Sequence, residues 1–323
     1  MTTVAIDTPD VELGTLIAGL APVDALSPVS VVGPDAAATA DELIVLGSAR
    51  GIEIDGSTRG GVDAPGAVGL LAATGADTVV VVSSAMVYGA WPDNPVPLTE
   101  DAPLRPRSES GFAMAMCEIE RAVADLRARR PGATVAVLRP TICVSPHLDN
   151  RWLERSLWHA RSLRTDGPDR PAQFLHLDDL ARAVDFARRH HLDGAFNVAP
   201  AGWLSARQQL ELVGSGRPPR VPGALSRAVV AARWRAGRTS TPPEVVPYTE
   251  HSWVVSSDRL RAEGWRPRVS NEEAFVMGHR PGWWSTLTAG QRQAVSLGGS
   301  AAAVALVGAV VVGVARAASR RRG

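Results

Sequence analysis

The chain contains no lysine: all 34 residues counted as Lys+Arg are arginines, so no side-chain ammonium is available to any site. Cysteine is nearly as scarce. Its two examples, Cys117 and Cys143, fall in a predicted helix and a predicted strand, which suits reduced thiols of a cytosolic domain better than a disulfide. No metal-ligand spacing such as CxxC or HExxH occurs, and no metal site is expected. A formal charge of +1, without a basic stripe interleaved with aromatics, argues against a nucleic-acid surface. The opening MTTVAIDTPD lacks the basic and apolar regions of a signal peptide. What is plentiful is apolar material, 45% of the chain, ample for one large α/β domain or two smaller ones.

Thr78 to Ser145 organises the rest. It opens on the valine run TVVVV, closes that run with SSAMVYG, and passes through a proline-rich loop. GFAMAMCEIERAVADLRARR and the apolar ATVAVLRPTICVSP follow. Short apolar runs bounded by turn signals suit strands buried on both faces, and the intervening segment has the apolar stripe of a helix. The unit is β-loop-α-β. Ahead of it, strands are predicted over Thr3 to Ile6, Pro28 to Val32 and within Asp41 to Ala49. A helix follows the first strand to about Leu20, and another runs from Pro65 to Thr74.

The stretch resembles the extended short-chain dehydrogenase/reductase family, the NAD(P)-dependent nucleotide-sugar epimerases and dehydratases. In that family a strand ends in SSxxVYG, a P-x-T-E loop follows, a helix begins Y-x-x-x-K, and the next strand ends LRxxN. Ser83 to Gly89, Pro97-Leu98-Thr99-Glu100, Glu120 and Leu138-Arg139-Pro140 fall in register. Ser84 sits at the family's serine position. The resemblance implies a Rossmann-like doubly wound parallel sheet with a small C-terminal substrate lobe. It also implies NAD or NADP as cofactor and a nucleotide-sugar as ligand.

The departures fall on the chemistry. Phe112 and Met116 stand where the family has Tyr and Lys, and Ile142 stands where it has the Asn. In relatives that tyrosine, with help from the ammonium, moves the proton accompanying hydride transfer. Phenylalanine has no proton to give and methionine no charge. Of the family's T-G-x-x-G-x-x-G turn, which lets bare backbone approach a pyrophosphate, only Gly14 survives. Asp10 and Glu12 lie where phosphates would dock; they repel an anion, or they cap the helix. Asp35 occupies the ribose-acid position or is a plain turn residue after Gly33-Pro34. The strand ending in Gly47 and Ser48 resembles DVVxHLAA, with Leu46 for His, and is implied to border the cofactor. It arrives early, so the cofactor half is read as trimmed between strands 2 and 4.

Arginines between His147 and Arg170 are open to two readings, a diphosphate contact or a solvated helix face. Ala172 to Pro200 resembles fxHVxDlaxA…gxxfNv through His176, Asp178, Asp179, Phe196 and Asn197. There the family uses the Asp after the strand as a helix cap. Trp203 to Trp284 reads as the small lobe, with Ser205 as a helix cap and Gly264-Trp265-Arg266-Pro267 at its edge. From Ala294 to Ala315 no charge occurs, long enough for about 30 Å of hydrocarbon at roughly 1.5 Å per residue. A buried helix is the other reading of that run. Ala301, Ala305, Ala309 and Gly313 form a small-residue stripe suited to helix-helix contact in lipid.

The expected organisation is a Rossmann-like domain over 1–200, a lobe over 201–288, a transmembrane helix over 294–315 and a basic tail over 316–323. A cytoplasmic domain on a single-pass C-terminal membrane anchor follows, with homo-oligomers a further expectation. Three functions fit the residues. One is a membrane-anchored homologue that has lost the oxidoreductase chemistry and binds, regulates or scaffolds. A second is an enzyme using Ser84 and a recruited Tyr88. The third is a structural partner of a membrane complex with a collapsed cleft.

Overall fold

The computed structural model describes residues 4–7, 16–17, 29–31, 40–47, 64–108, 110–145, 171–212 and 246–278. By its contacts the chain divides into Met1–His279 and Arg280–Gly323. All of the second unit lies outside the described residues, and so does the apolar run 294–315. Among the described residues, no helix is long and apolar enough to cross a membrane.

A six-stranded parallel sheet forms the frame, in the order β2 (Val29–Val31), β1 (Val4–Asp7), β3 (Glu42–Leu46), β4 (Thr78–Val82), β5 (Thr134–Pro140), β8 (Gly194–Val198). The order changes direction between β1 and β3. In open α/β sheets ligands bind beyond the strand carboxyl ends at such a point. Among the described residues no strand lies beyond β2. The sheet is parallel, as the valine runs indicated, and Rossmann-like, as the resemblance implied.

Strand period sends alternate residues to opposite faces. Val79 and Val81 of β4 join Leu43, Val45, Val135 and Val137 in one apolar cluster; Val80 and Val82 join Ile44, Leu46, Ala136 and Leu138 in the other. Helices α1 (Ala64–Ala73) and α2 (Gly111–Arg129) cover the first face, and α3 (Leu177–Arg189) covers the second. Ser110 caps α2 by accepting from the Ala113 amide at 3.3 Å.

The second apolar run of the organising stretch is two strands rather than one. β5 ends at Pro140, and after Thr141 the chain continues as β6 (Ile142–Val144), which leaves the main sheet to pair with β7 (Phe174–His176). The Thr141 amide donates to the Val198 carbonyl at 3.2 Å, so the break falls where β5 loses its β8 partner.

The remaining helices are α4 (Ala206–Leu212), α5 (Val246–Glu250), α6 (Asp258–Ala262) and α7 (Asn271–Gly278). Ser205 accepts from the Gln208 amide at 3.1 Å while Gln208 accepts from the Ser205 amide at 2.9 Å, a reciprocal cap for α4. Buried amides tie this region to the sheet. Gln173 donates to the Gly202 and Val255 carbonyls and accepts from the Val255 amide at 2.8 Å. Asn271 accepts from the Phe174 amide at 2.9 Å.

One cap differs from expectation. The turn from β7 into α3 does not use an aspartate as its cap: the His176 imidazole, at the end of β7, does so, its Nδ1 accepting from the Asp178 amide at 3.2 Å. Asp179 turns instead to the amides of Arg268 and Val269, at 3.0 and 2.9 Å, with Arg182 on its other oxygen at 3.0 Å. Fully buried, it secures the return of the chain rather than the helix end.

Candidate functional site

The site forms where β4 and β5 end beside the amino end of α2. The Ser83 amide donates to the Leu138 carbonyl at 2.8 Å, which carries the β4–β5 ladder one residue past the strand. Ser84 then accepts from the Met86 amide at 3.2 Å and caps the single 3₁₀ turn Ala85–Tyr88. Gly89 follows at φ +70°. A side chain there would have its Cβ only 2.1 Å from the Arg105 carbonyl and 2.4 Å from the Trp91 indole nitrogen, so the turn requires glycine twice over.

Tyr88 is thereby driven inward, and its hydroxyl is fully engaged. It donates to Asn197 Oδ1 at 2.8 Å and accepts from Arg139 at 2.7 Å. Arg139 grips Glu120 through two parallel bonds, at 3.1 and 2.7 Å, and Ser83 donates to the same carboxylate at 2.6 Å. Glu100 accepts from the Asn197 amide at 2.8 Å. The ion pair has side chains only 8% and 7% exposed. At that burial desolvation is costly, and the forked geometry with extra hydrogen bonds is what makes such a pair tolerable. Burial pushes the Tyr88 phenol above its ordinary value despite the guanidinium beside it. Burial acts the other way on Arg139, but the Glu120 carboxylate outweighs it and keeps the guanidinium charged.

A second neighbourhood lies one turn along α2. Phe112 is half-buried against the core, and Met116 is fully buried. A Cβ on Gly47, at the end of β3, would sit 3.0 Å from the Met116 sulfur and methyl carbon and 2.8 Å from the Val82 carbonyl. The thioether thus fills the space against bare backbone at the switch point of the sheet. Next to it, burial raises the Cys117 thiol to about 11, with Glu120 adding to the effect.

The fold therefore brings Ser84, Tyr88, Phe112, Met116 and Gly47 to the carboxyl ends of β3, β4 and β5, as their registers suggested. Gly14, Asp35 and Ser48 lie outside the described residues, as does the arginine-bearing segment 147–170. Phe112 and Met116 do not fit the nicotinamide end of a dinucleotide in the manner the resemblance implies, because neither offers a donor to a ribose hydroxyl or a group that titrates. Among the described residues no group of three or more His, Cys, Asp or Glu could hold a metal ion.

The model of the NAD dependent epimerase/dehydratase family matches residues 66–199. That stretch of the chain is similar to the family's domain. An uncharacterized Mycobacterium tuberculosis protein, Rv0501, is 32% identical over 198 residues, covering 61% of this chain and 52% of its own length. The uncharacterized Sinorhizobium fredii protein y4nG is 30% identical over 219 residues, covering 63% and 52%. The chain thus spans about half the length of the curated relatives it matches.

Among solved structures, RMD from Pseudomonas aeruginosa complexed with NADPH is 18% identical with a TM-score of 0.58, covering 89% of this chain and 100% of that one. Human epimerase family protein SDR39U1 with NADPH is 15% identical with a TM-score of 0.61, covering 86% and 98%. Thermotoga maritima UDP-glucose 4-epimerase with UDP-glucose is 14% identical with a TM-score of 0.58, covering 86% and 97%. At these identities the likeness is one of fold.

Sequence reading put Glu100, Glu120 and Arg139 in register with the family without giving them a task. The structure makes them one network with Ser83, Tyr88 and Asn197. Nothing in the spacing announced this, because the partners are scattered over more than a hundred positions. An arginine and a glutamate inside otherwise apolar periodic segments were the only signal, since buried charges occur in pairs.

Proposed function

We propose that this chain is a membrane-anchored member of the epimerase/dehydratase family that binds a ligand without performing the family's oxidoreductase chemistry, in a binding, regulatory or scaffolding role. One observation carries the reading. The two positions from which relatives move protons hold a half-buried phenyl ring and a buried thioether packed on Gly47. The ligand class is a nucleotide-sugar or related small molecule. Any dinucleotide partner is of the NAD or NADP class, since structural neighbours were solved with NADPH or NAD.

Recruitment of Tyr88 as acid-base, with Ser84 beside it, is disfavoured by the tyrosine's own bonds. Its proton is committed to Asn197, its lone pair to Arg139, and its pKa is shifted away from neutrality. A Tyr88→Phe variant that abolished a measured turnover without unfolding the protein would restore that alternative.

The anchor rests on the uncharged run 294–315 and the arginines that follow it. The small-residue stripe within it is the proposed route to homo-oligomers. The domain is placed in the cytoplasm. Extraction at alkaline pH should leave the full chain with the membrane fraction, and release into the supernatant would count against the anchor.

The test of the central reading is an assay of the purified chain with NAD, NADP, their reduced forms, and UDP- or dTDP-sugars. No turnover is expected, together with thermal stabilisation by at least one of them. Ligand at 100 times its Kd stabilises by about 2.7 kcal/mol. Efficient turnover would overturn the proposal, and no shift with any ligand would favour a purely structural partner with a closed cleft.

A further inference from the structure

The loop between the 3₁₀ turn and α2 carries two arginines and one tryptophan in a compact group. Trp91 donates its indole N–H to the Arg105 carbonyl at 2.7 Å, and its ring carries the Arg107 guanidinium 4.1 Å above the centroid. Arg105 is neutralised: both oxygens of Asp93 accept from it, at 3.1 and 3.3 Å, and Asn94 accepts at 3.1 Å. Arg107 is not. The loop's other described carboxylates are committed elsewhere, Glu100 to the Asn197 amide and Asp101 to Arg259 at 3.2 Å. Its Nε is buried and has no hydrogen-bond partner among the described residues.

A buried donor without an acceptor is costly, and the indole face, though it attracts the guanidinium, offers that N–H no acceptor. Tyr248 is buried, and its hydroxyl donates to the Met86 carbonyl at 3.0 Å. A forked guanidinium held flat on an indole, with its charge uncompensated, suits an oxyanion with several acceptor oxygens. The position is five residues ahead of Phe112 in the sequence.

We infer that Arg107, stacked on Trp91, is an anion-binding site for a phosphate-type group, either free phosphate or pyrophosphate or the diphosphate of a nucleotide. It requires no catalysis and no dinucleotide, and it stands on charge and hydrogen-bond accounting independent of positions 112 and 116.

Calorimetric titration of the full chain in detergent, with inorganic pyrophosphate in one arm and UDP in the other, tests it. Saturable binding is expected in at least one arm. Arg107→Gln should weaken it about tenfold or more, the loss of a charge-assisted contact. Arg107→Lys, which keeps the charge and covers the ring, should lose the fork and bind measurably more weakly. Tighter binding of UDP, with the same dependence on Arg107, assigns a nucleotide; equal binding assigns the free anion. No binding in either arm, or an affinity unchanged in Arg107→Lys and in a folded Arg107→Gln, overturns the inference. Failure here leaves the loss of oxidoreductase chemistry standing, while turnover of a nucleotide-sugar would sink that reading and leave this one untouched.

Discussion

Two neighbourhoods share helix α2, and they differ in every physical respect. Around Glu120 and Arg139 the protein maintains a dense polar network that reaches from Ser83 through Tyr88 to Asn197 and Glu100. One turn away, the Met116 thioether packs on Gly47, and Phe112 lies half-buried against the same apolar cluster. The first belongs to the framework at the ends of β4 and β5; the second is where the resemblance places the reaction. On the function proposed above, the chain keeps costly buried charges for its framework and fills the reacting positions with hydrocarbon and sulfur.

Four measurements can break or sharpen that contrast. Arg139→Met strands a buried carboxylate, and a loss of about 3–5 kcal/mol in urea unfolding is expected, largely recovered in Arg139→Met/Glu120→Leu. A loss below 1 kcal/mol would mean the network is surface-like. The boundary between the neighbourhoods is sensed by Cys117, raised from 9.0 to about 11. Its folded pKa exceeds the unfolded value, so its contribution is complete below pH 9 and lost as pH rises through about 11. It amounts to roughly 2–3 kcal/mol. Unfolding titrations of Cys117→Ala should show a flatter decline over that window, and an unchanged slope would place the thiol in a wetter site.

Gly47→Ala comes next, at about 2 kcal/mol, because the added methyl meets both the Val82 carbonyl and the Met116 thioether. Met116→Ala should relieve part of that cost, and the absence of any coupling between the two would dissolve the apolar neighbourhood as a unit. The smallest effect belongs to Tyr88→Phe. Removing the hydroxyl costs about 1 kcal/mol. A rise in melting temperature would show that the hydroxyl is strained rather than satisfied.

Much of the frame was legible in the chain. The apolar runs gave β4 and the start of β5 within a residue, because strands buried on both faces have little choice of composition. The SSAMVYG turn was readable too, since its glycine is demanded by the close approach of Trp91 and the Arg105 carbonyl. The break at Thr141 was not readable, because ICV continues the same apolar pattern while changing sheets. The cap of α3 was misassigned for a related reason. Asp178 and Asp179 are both good capping residues, and only the nearness of the Arg268 and Val269 amides draws Asp179 away.

By itself the sequence determined the strands at the centre of the sheet, the absence of lysine, and the absence of titratable groups at positions 112 and 116. Those are properties of residue identity and local period. Only tertiary structure decided which polar groups face one another. It committed the Tyr88 hydroxyl to Asn197 and Arg139, matched Glu100 and Asp101 to distant donors, and left the Arg107 Nε on Trp91 without an acceptor among the described residues. Pairing of charges across the sheet depends on distances of a few ångströms between residues far apart in the chain, and no periodicity encodes those distances.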